Sequence, residues 1–406
     1  MTTTALESEA RRRARLWAIA LTVVLMPSPA DLVLAADPNP FFTAAIRPSD
    51  VPLAALIALS ISALPDRVRR SGTVARLGLA LATLVALAAL VHPALQGVLV
   101  LYRLIGAVAI AVGIADLRRV HERRFVLVAL ALTATAQTAL AIVQLWRGDV
   151  LATGPQDPLI GPFTRANGTL PFAYVLAGLG LVCGAILVGH VLRERTRWRF
   201  AWSAAAATAL VTAGITFSRA AAGGLALGAA ALVPGVIRGR RGHALALATI
   251  LVGGALPALA TRDGWIARNA DSPAGGSAVN RLSTITQALP LIAAEPLLGV
   301  GPGRTMVALR DQAERVPGSV TELNPPHDVP IAIALEAGAP AGLVALALLV
   351  ALGRRAWRRG TAAVLGYAVL LPYLILDNWP YTTGAGLIIL GLWGSAADDP
   401  LGPSDA

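Results

Sequence analysis

His327 is the residue of this chain best suited to move a proton. It follows Asn324-Pro325-Pro326, precedes Asp328 and stands at the mouth of an apolar run. An imidazole, with an unperturbed pKa of about 6.5, is a competent general base near neutral pH. A neighbouring carboxylate can orient the ring and favour its charged form. A histidine that caps a helix or lies at an interface would occupy the same position with no chemistry at all. The matching cations are Arg165, Arg219 and Arg281. Arg219 has no acidic residue within twenty positions on either side, and Arg281 also lacks a carboxylate nearby in sequence. A guanidinium fork suits a phosphate or diphosphate, whereas snorkelling toward water is the bland account. No second histidine or cysteine stands at ligand spacing, so zinc is not expected. No D-x-D pair occurs in a segment assigned to the external face, so no metal or cofactor is expected, and arginine would have to neutralise a phosphate unaided.

These residues belong to a polar interval in an otherwise oily chain. From Arg281 it reads R-L-S-T-I-T-Q-A-L-P-L-I-A-A-E-P-L-L-G-V-G-P-G, then a charged segment, then N-P-P-H-D-V-P-I-A-I-A-L-E-A-G. Leu282, Ile285 and Leu289 recur at helical spacing with Ser283, Thr284 and Gln287 turned away, which suits a helix lying along a membrane surface. G-V-G-P-G lacks the G-K-[ST] of a phosphate loop and reads as a turn. A second, charged helix is expected over 304–316, where Arg310/Glu314 and Asp311/Arg315 sit four apart. Segment 261–328 carries six arginines and seven acids, so loop acids account for most external arginines but not for Arg219 or Arg281. Glu336, Asp377 and Arg103 fall in or near apolar segments, where ionisable groups are costly and face the bundle interior. Pairing of Arg103 with one of those acids competes with a substrate role.

The elements that must position this interval are transmembrane helices. Hydrophobic side chains make up 56% of 406 residues and charged ones 14%, against roughly 25% charged in soluble domains. Apolar runs of about 17–25 residues recur, enough to cross a hydrocarbon core, and the period-2 alternation of a β-barrel is missing. The formal charge of +11 comes from arginine alone, spread in clusters rather than gathered in a patch, so nucleic acid is not an expected partner. Cys183, the one cysteine, reads as a small core residue. The start, R-R-R-A-R-L-W-A-I-A-L, resembles a signal peptide but serves better as a first helix entering from the cytoplasm.

Arginine clusters at 11–15, 67–70, 118–124, 193–199, 238–241 and 354–359 punctuate the apolar runs. Short arginine-rich loops stay cytoplasmic. All six fall on one side if spans occupy 16–36, 51–65, 74–92, 95–115, 125–146, 169–190, 200–217, 220–237, 244–260, 330–352, 361–376 and 383–396. The expected fold is therefore all-α: a polytopic bundle of about twelve helices, both termini cytoplasmic. Residues 1–260 carry nine spans, 261–329 form a large external loop with short surface helices, and 330–406 carry three spans and a tail.

R-x(14)-P-L-L-G-V-G-P-G from Arg281 to Gly303, followed by H-[ND]-x(7)-E-x-G from His327, resembles the signature of the O-antigen ligase and O-antigen polymerase superfamily. F-S-R-A at Phe217–Ala220 and G-P-F-T-R-A-N at Gly161–Asn167 resemble two upstream segments of that family. The resemblance implies metal-independent, inverting transfer of a glycan from undecaprenyl diphosphate to an acceptor hydroxyl, at the outer face of the bacterial inner membrane. It implies that His327 activates the acceptor and that Arg281, Arg219 and, as a weaker match, Arg165 bind the diphosphate, with Asp328 and Glu336 in support. Asp328 departs from the family's usual asparagine. The acceptor, lipid- or glycan-borne or a protein, is open, so ligase, polymerase and protein O-oligosaccharyltransferase stand side by side. A membrane transporter of glycans or small solutes is the competing class. Transporters place polar groups at the midplane in inverted repeats, and Gln137 and Gln144, on one helical face, are the residues that suit it.

Overall fold

Arginine sorts to one end of the helices. The computed structural model describes residues 3–28, 30, 32–35, 44–61, 72–117, 119–148, 150–151, 162–271, 274–316 and 324–398. The chain begins with α1 (Thr3–Leu25), an antiparallel hairpin of β1 (Leu32–Ala35) and β2 (Ala44–Ile46), α2 (Asp50–Ile61), α3 (Gly72–Val91), α4 (Leu95–Ala115) and α5 (Val120–Arg147). It continues through α6 (Ala173–Val191), α7 (Trp198–Ile215), α8 (Arg219–Ile237) and α9 (Arg241–Ala260). Next come α10 (Arg262–Asp271), α11 (Ala274–Ala294), α12 (Thr305–Arg315) and α13 (Val329–Ala337). The last are α14 (Ala339–Arg359), α15 (Thr361–Ala368), α16 (Leu371–Leu376), α17 (Trp379–Thr382) and α18 (Gly384–Asp398).

Ion pairs draw the cluster-bearing turns together. Arg12 meets Glu122 at 2.7 Å and Arg15 meets Asp116 at 2.9 Å, which ties α1 to the α4–α5 turn. Arg124 and Glu194, at 3.8 Å, add the α6–α7 turn. A Cβ on Gly242 would lie 3.7 Å from the Leu192 carbonyl, and one on Gly189 would lie 3.6 Å from the Ala362 Cβ. The turns near 240 and 360 therefore share that end. Exposed Trp17, Trp198 and Trp357 ring it, as aromatic side chains do at a membrane interface. The cluster at 67–70 lies outside the described residues.

Six helices among the described residues are long and apolar enough to cross a membrane: α4, α5, α6, α8, α9 and α14. Shorter apolar stretches lie in α2, α3, α15–α16 and α18. The molecule is a mostly helical membrane protein. Its centre is α6, buried at every residue from 175 to 189. Small residues let its neighbours approach, as at Gly180, where a Cβ would collide with Thr212 of α7.

Three expected spans differ from the structure. The first, expected to reach 36, stops at Leu25 ahead of Pro27, and the chain then forms the β1–β2 hairpin, a small departure from an all-α fold. The stretch 361–376 is divided at Val369-Leu370, ahead of Pro372. The third difference has the largest consequence. Instead of one helix over 330–352, the chain folds back at Gly338. A Cβ on Gly342 would lie 2.6 Å from the Ala334 Cβ and 2.8 Å from the Pro330 carbonyl, whereas residues twelve apart in a continuous helix stand about 18 Å apart.

The reversal is held by backbone. Val300 and Gly301 donate N–H to the Leu335 and Glu336 carbonyls at 2.9 and 3.0 Å, and Ala339 donates to Pro296 at 2.9 Å. The G-V-G-P-G turn thus satisfies the open end of α13. Gly338, at φ 88° and ψ 161°, occupies a region that is essentially glycine's alone. A Cβ there would also collide with the Leu297 carbonyl. Gly338→Ala is expected to cost more than the roughly 1–3 kcal/mol of the backbone conformation alone. A melting temperature equal to that of wild type, measured in detergent, would refute this crossing.

Buried Arg103 of α4 takes neither Glu336 nor Asp377 as its partner. It pairs with Asp50 at the start of α2, at 2.6 and 3.1 Å, and donates to the Ala45 carbonyl of β2 at 2.6 Å. The hairpin, α2 and α4 are locked together there.

Candidate functional site

The turn that presents His327 is fixed from behind. Buried Asn378 donates its side-chain amide to the Pro325 and Pro326 carbonyls at 3.2 and 2.8 Å. Two successive prolines leave those carbonyls with few local partners. On the other side Asp328 caps α13, accepting from the Ile331 N–H at 2.9 Å, and Pro330 follows in the first turn. Burial pushes the Asp328 carboxyl up, against the opposing pull of that hydrogen bond.

His327 is one-third exposed, and its Nδ1 lies 3.8 Å from Oδ1 of Asp377. That distance is ion-pair contact rather than a formed hydrogen bond, a separation that can close when substrate arrives. The carboxylate in contact with the ring is Asp377, while one oxygen of Asp328 caps α13. Asp377 is itself held by the Asn378 N–H at 2.9 Å.

Arg281 joins the same group. It stands on α11, whose polar face turns inward: Thr284 and Gln287 are buried while Leu282 and Leu289 are exposed. Burial lowers the Arg281 pKa, the charge of Asp377 counters by raising it, and the charge of Arg219 lowers it further. Arg281 thus lies within electrostatic reach of the carboxylate beside His327 on one side and of Arg219 on the other.

Arg219 opens α8. Ser218 caps that helix, accepting from the Ala221 N–H at 3.3 Å, and its hydroxyl pairs with the Tyr373 hydroxyl at 2.8 Å. Phe217, just before, has φ 54°, unusual for a bulky residue. Aromatic packing holds it there, with Phe163 at 6.0 Å and Trp265 at 5.8 Å between ring centroids. The Trp265 indole donates to the Gly214 carbonyl at 2.9 Å, pinning α10 to the end of α7. Such strain is characteristic of sites where a side chain must be aimed.

Arg165 donates Nε to the Thr216 carbonyl at 2.9 Å, and its guanidinium lies 5.9 Å from the centre of the Tyr174 ring. Buried Tyr373 lies within electrostatic reach of both Arg165 and Asp377. The segment carrying Arg165 is clamped by α5. Gln144 accepts from the Asn167 and Gly168 N–H groups at 3.1 and 2.7 Å and donates to the Gly168 carbonyl at 2.7 Å. Gln137 accepts from Thr169 N–H and donates to its hydroxyl, both at 3.0 Å. The two glutamines fasten a loop in place.

Glu336 stands apart from His327 in function. Its carboxylate accepts from the Thr305 hydroxyl at 2.8 Å and the Tyr381 hydroxyl at 3.1 Å, with backbone N–H groups of Gly303 and Thr305 also engaged. It joins α12, α13 and α17.

Of the residues singled out from the sequence, His327, Arg281, Arg219 and Arg165 converge through Asp377 and Tyr373, Asp328 caps, and Glu336 braces. Sequence reasoning placed Asp377 near an external helix end without linking it to His327, and missed Asn378 and Tyr373. The available signal was the D-N-W-P run, polar residues interrupting an apolar stretch. Chemically, the arrangement offers a proton acceptor backed by a carboxylate on one side and half-buried guanidinium groups on the other.

No curated protein matches the chain. Residues 204–346, which run from α7 through the start of α14 and include Arg219, Arg281 and His327, match the family model described as O-Antigen ligase, Wzy_C. Over that stretch, about a third of its length, the chain is similar to the O-antigen ligase family.

Proposed function

We propose that this protein transfers a glycan from undecaprenyl diphosphate to an acceptor hydroxyl at the outer face of a bacterial inner membrane, with inversion and without a metal. The observation that carries this reading is the position of Arg281, which feels both Asp377, the partner of His327, and Arg219. A base and a cation pair are what a displacement from a diphosphate needs at its two ends. His327 takes the acceptor proton as the hydroxyl oxygen attacks the anomeric carbon. The bond from that carbon to the diphosphate oxygen breaks, and its electrons leave with the diphosphate. Arg281, Arg219 and Arg165 neutralise the leaving group, and Asp377 stabilises the imidazolium. Preorganised cations at the edge of a low-dielectric bundle are effective in this role, and joint binding of donor and acceptor removes much of the entropic barrier.

The polyprenyl tail explains why such chemistry sits on membrane helices. About twelve spans with both ends cytoplasmic put the arginine clusters inside and the His327 group outside. Selection of the acceptor by the outer face of 261–329 leaves the reaction unchanged, so a ligase, a polymerase and a protein glycosyltransferase share this mechanism. The locked amides of Gln137 and Gln144 remove the feature that best suited a transporter. Purified protein in proteoliposomes, given undecaprenyl-diphosphate-linked glycan and a panel of sugar, core-lipid and peptide acceptors, is expected to release one undecaprenyl diphosphate per inverted glycosidic bond formed. Retention at the anomeric centre, or transport of the donor with no bond formed, would overturn the proposal.

A further inference from the structure

The arginine-rich end of the bundle carries a second organised group of charges that glycan transfer does not use. Arg123 and Arg124 lie in the first turn of α5, and His190, Arg193 and Glu194 lie at the end of α6. Arg123 donates Nε to the Leu117 carbonyl at 2.7 Å, and Arg193 donates Nη1 to the Gly189 carbonyl at 3.1 Å. One oxygen of Glu194 is shared between Arg124 at 3.8 Å and His190 Nε2 at 3.7 Å. The other accepts from the Thr196 N–H and hydroxyl at 3.0 and 2.8 Å. Glu122, the neighbouring acid, faces Arg12 at 2.7 Å.

The positive charges in this group are packed closely. Burial, reinforced by the charge of Arg123, pushes the Arg193 pKa down to about 10. The buried Nε2 of His190 has no hydrogen-bond partner among the described residues, and its ring stands edge-on to Trp202 at 5.3 Å. Arginines that serve only to keep a loop out of the membrane can stay in water, as exposed Arg195 and Arg197 do. Arg123 and Arg193 are instead tucked against the helix ends, where burial opposes both charges, Arg123 opposes Arg193, and Glu122 favours Arg123.

We propose that Arg123, Arg124, Arg193 and His190 receive the phosphate of an anionic phospholipid. The exposed rings of Trp198 and Phe200, the latter beneath the Arg199 guanidinium at 4.7 Å, set the headgroup level just beside the cluster. A lipid phosphate lies at that level, and arginine forks between transmembrane helices suit it. The inference rests on the chain being embedded in a bilayer and not on the transfer reaction.

Native mass spectrometry of the full chain, exchanged from detergent into nanodiscs of phosphatidylglycerol or phosphatidylcholine and then released, tests it. Wild type is expected to retain phosphatidylglycerol and not phosphatidylcholine, and Arg123→Gln/Arg193→Gln to retain about tenfold less. Arg193→Lys, which keeps charge and fold, should retain an intermediate amount. Arg195→Gln/Arg197→Gln, equal in charge removed, should retain as much as wild type. Equal retention by wild type and the Arg123/Arg193 variant would overturn the proposal, as would equal loss in the Arg195/Arg197 control. Displacement of the lipid by inorganic phosphate at low concentration would also overturn it, marking a site for soluble anions.

Discussion

Replacing His327 with alanine is expected to reduce glycan transfer by about 10²–10⁴-fold, the usual contribution of a positioned general base, with the fold retained. The imidazole is one-third exposed and its nearest charged neighbour is Asp377 at 3.8 Å, so its removal opens no sealed core. The turn around it survives, because Asn378 holds the carbonyls of Pro325 and Pro326 and Asp328 holds the start of α13. Among its neighbours Arg281, Arg219 and Arg165 are cations and the Tyr373 hydroxyl is buried against Ser218, which leaves the Asp377 carboxylate as the alternative proton acceptor. Asp377→Asn should cost less, since the ring remains and only the charge that stabilises imidazolium is lost. The check is multiple-turnover transfer with a labelled donor, alongside thermal unfolding in the same detergent. Activity of His327→Ala within a few-fold of wild type would take the residue out of the mechanism.

The sequence revealed most where a local chemical signal is strong. Arginine resists translocation, so its clusters located the ends of the helices, and ion pairs such as Arg12–Glu122 and Arg124–Glu194 now join those turns. The turn at Ser218-Arg219 and a helix through Arg281 were likewise legible, from small residues and helical spacing. Contacts across long separations were not. His327 and Asp377 are fifty positions apart, whereas Asp328, adjacent in sequence, was the natural choice of orienting acid. Arg103 found Asp50 rather than the acids considered for it. Gln137 and Gln144 looked like a polar stripe within a helix until the backbone of 167–169 was seen to occupy them.

The reversal at Gly338 was hidden for a related reason. Periodicity reports which faces are apolar, and both halves of 330–352 are apolar throughout, so hydropathy cannot distinguish a straight span from a folded one. What decides is the conformation of one glycine and the backbone brought to it by 296–301. The reversal matters for function because it turns α13 from the upper part of a span into a separate short helix, with His327 at its start and Glu336 braced at its end.

Arg281→Ala should separate activity from stability. Transfer is expected to fall by about 10²–10³-fold, the loss typical when one preorganised group is removed from a developing anion. The melting temperature is expected to hold or rise. The sign follows from the causes acting on Arg281: burial and the charge of Arg219 both disfavour its cationic form in the fold, and only Asp377 favours it. A base whose folded pKa is lowered is held at a cost to stability, so neutralising it relieves that cost. Arg219 stands at the first residue of α8, at the positive end of the helix dipole. A diphosphate arriving there reverses all of these terms together, meeting two repelled guanidinium groups and a helix N-terminus at once. Arg281→Lys should recover part of the activity, because it restores the charge without the planar fork. Loss of activity matched by a large drop in melting temperature would instead make Arg281 a structural tie between α11 and the bundle. The separation of the two measurements is what a cation that serves to bind an anionic substrate requires.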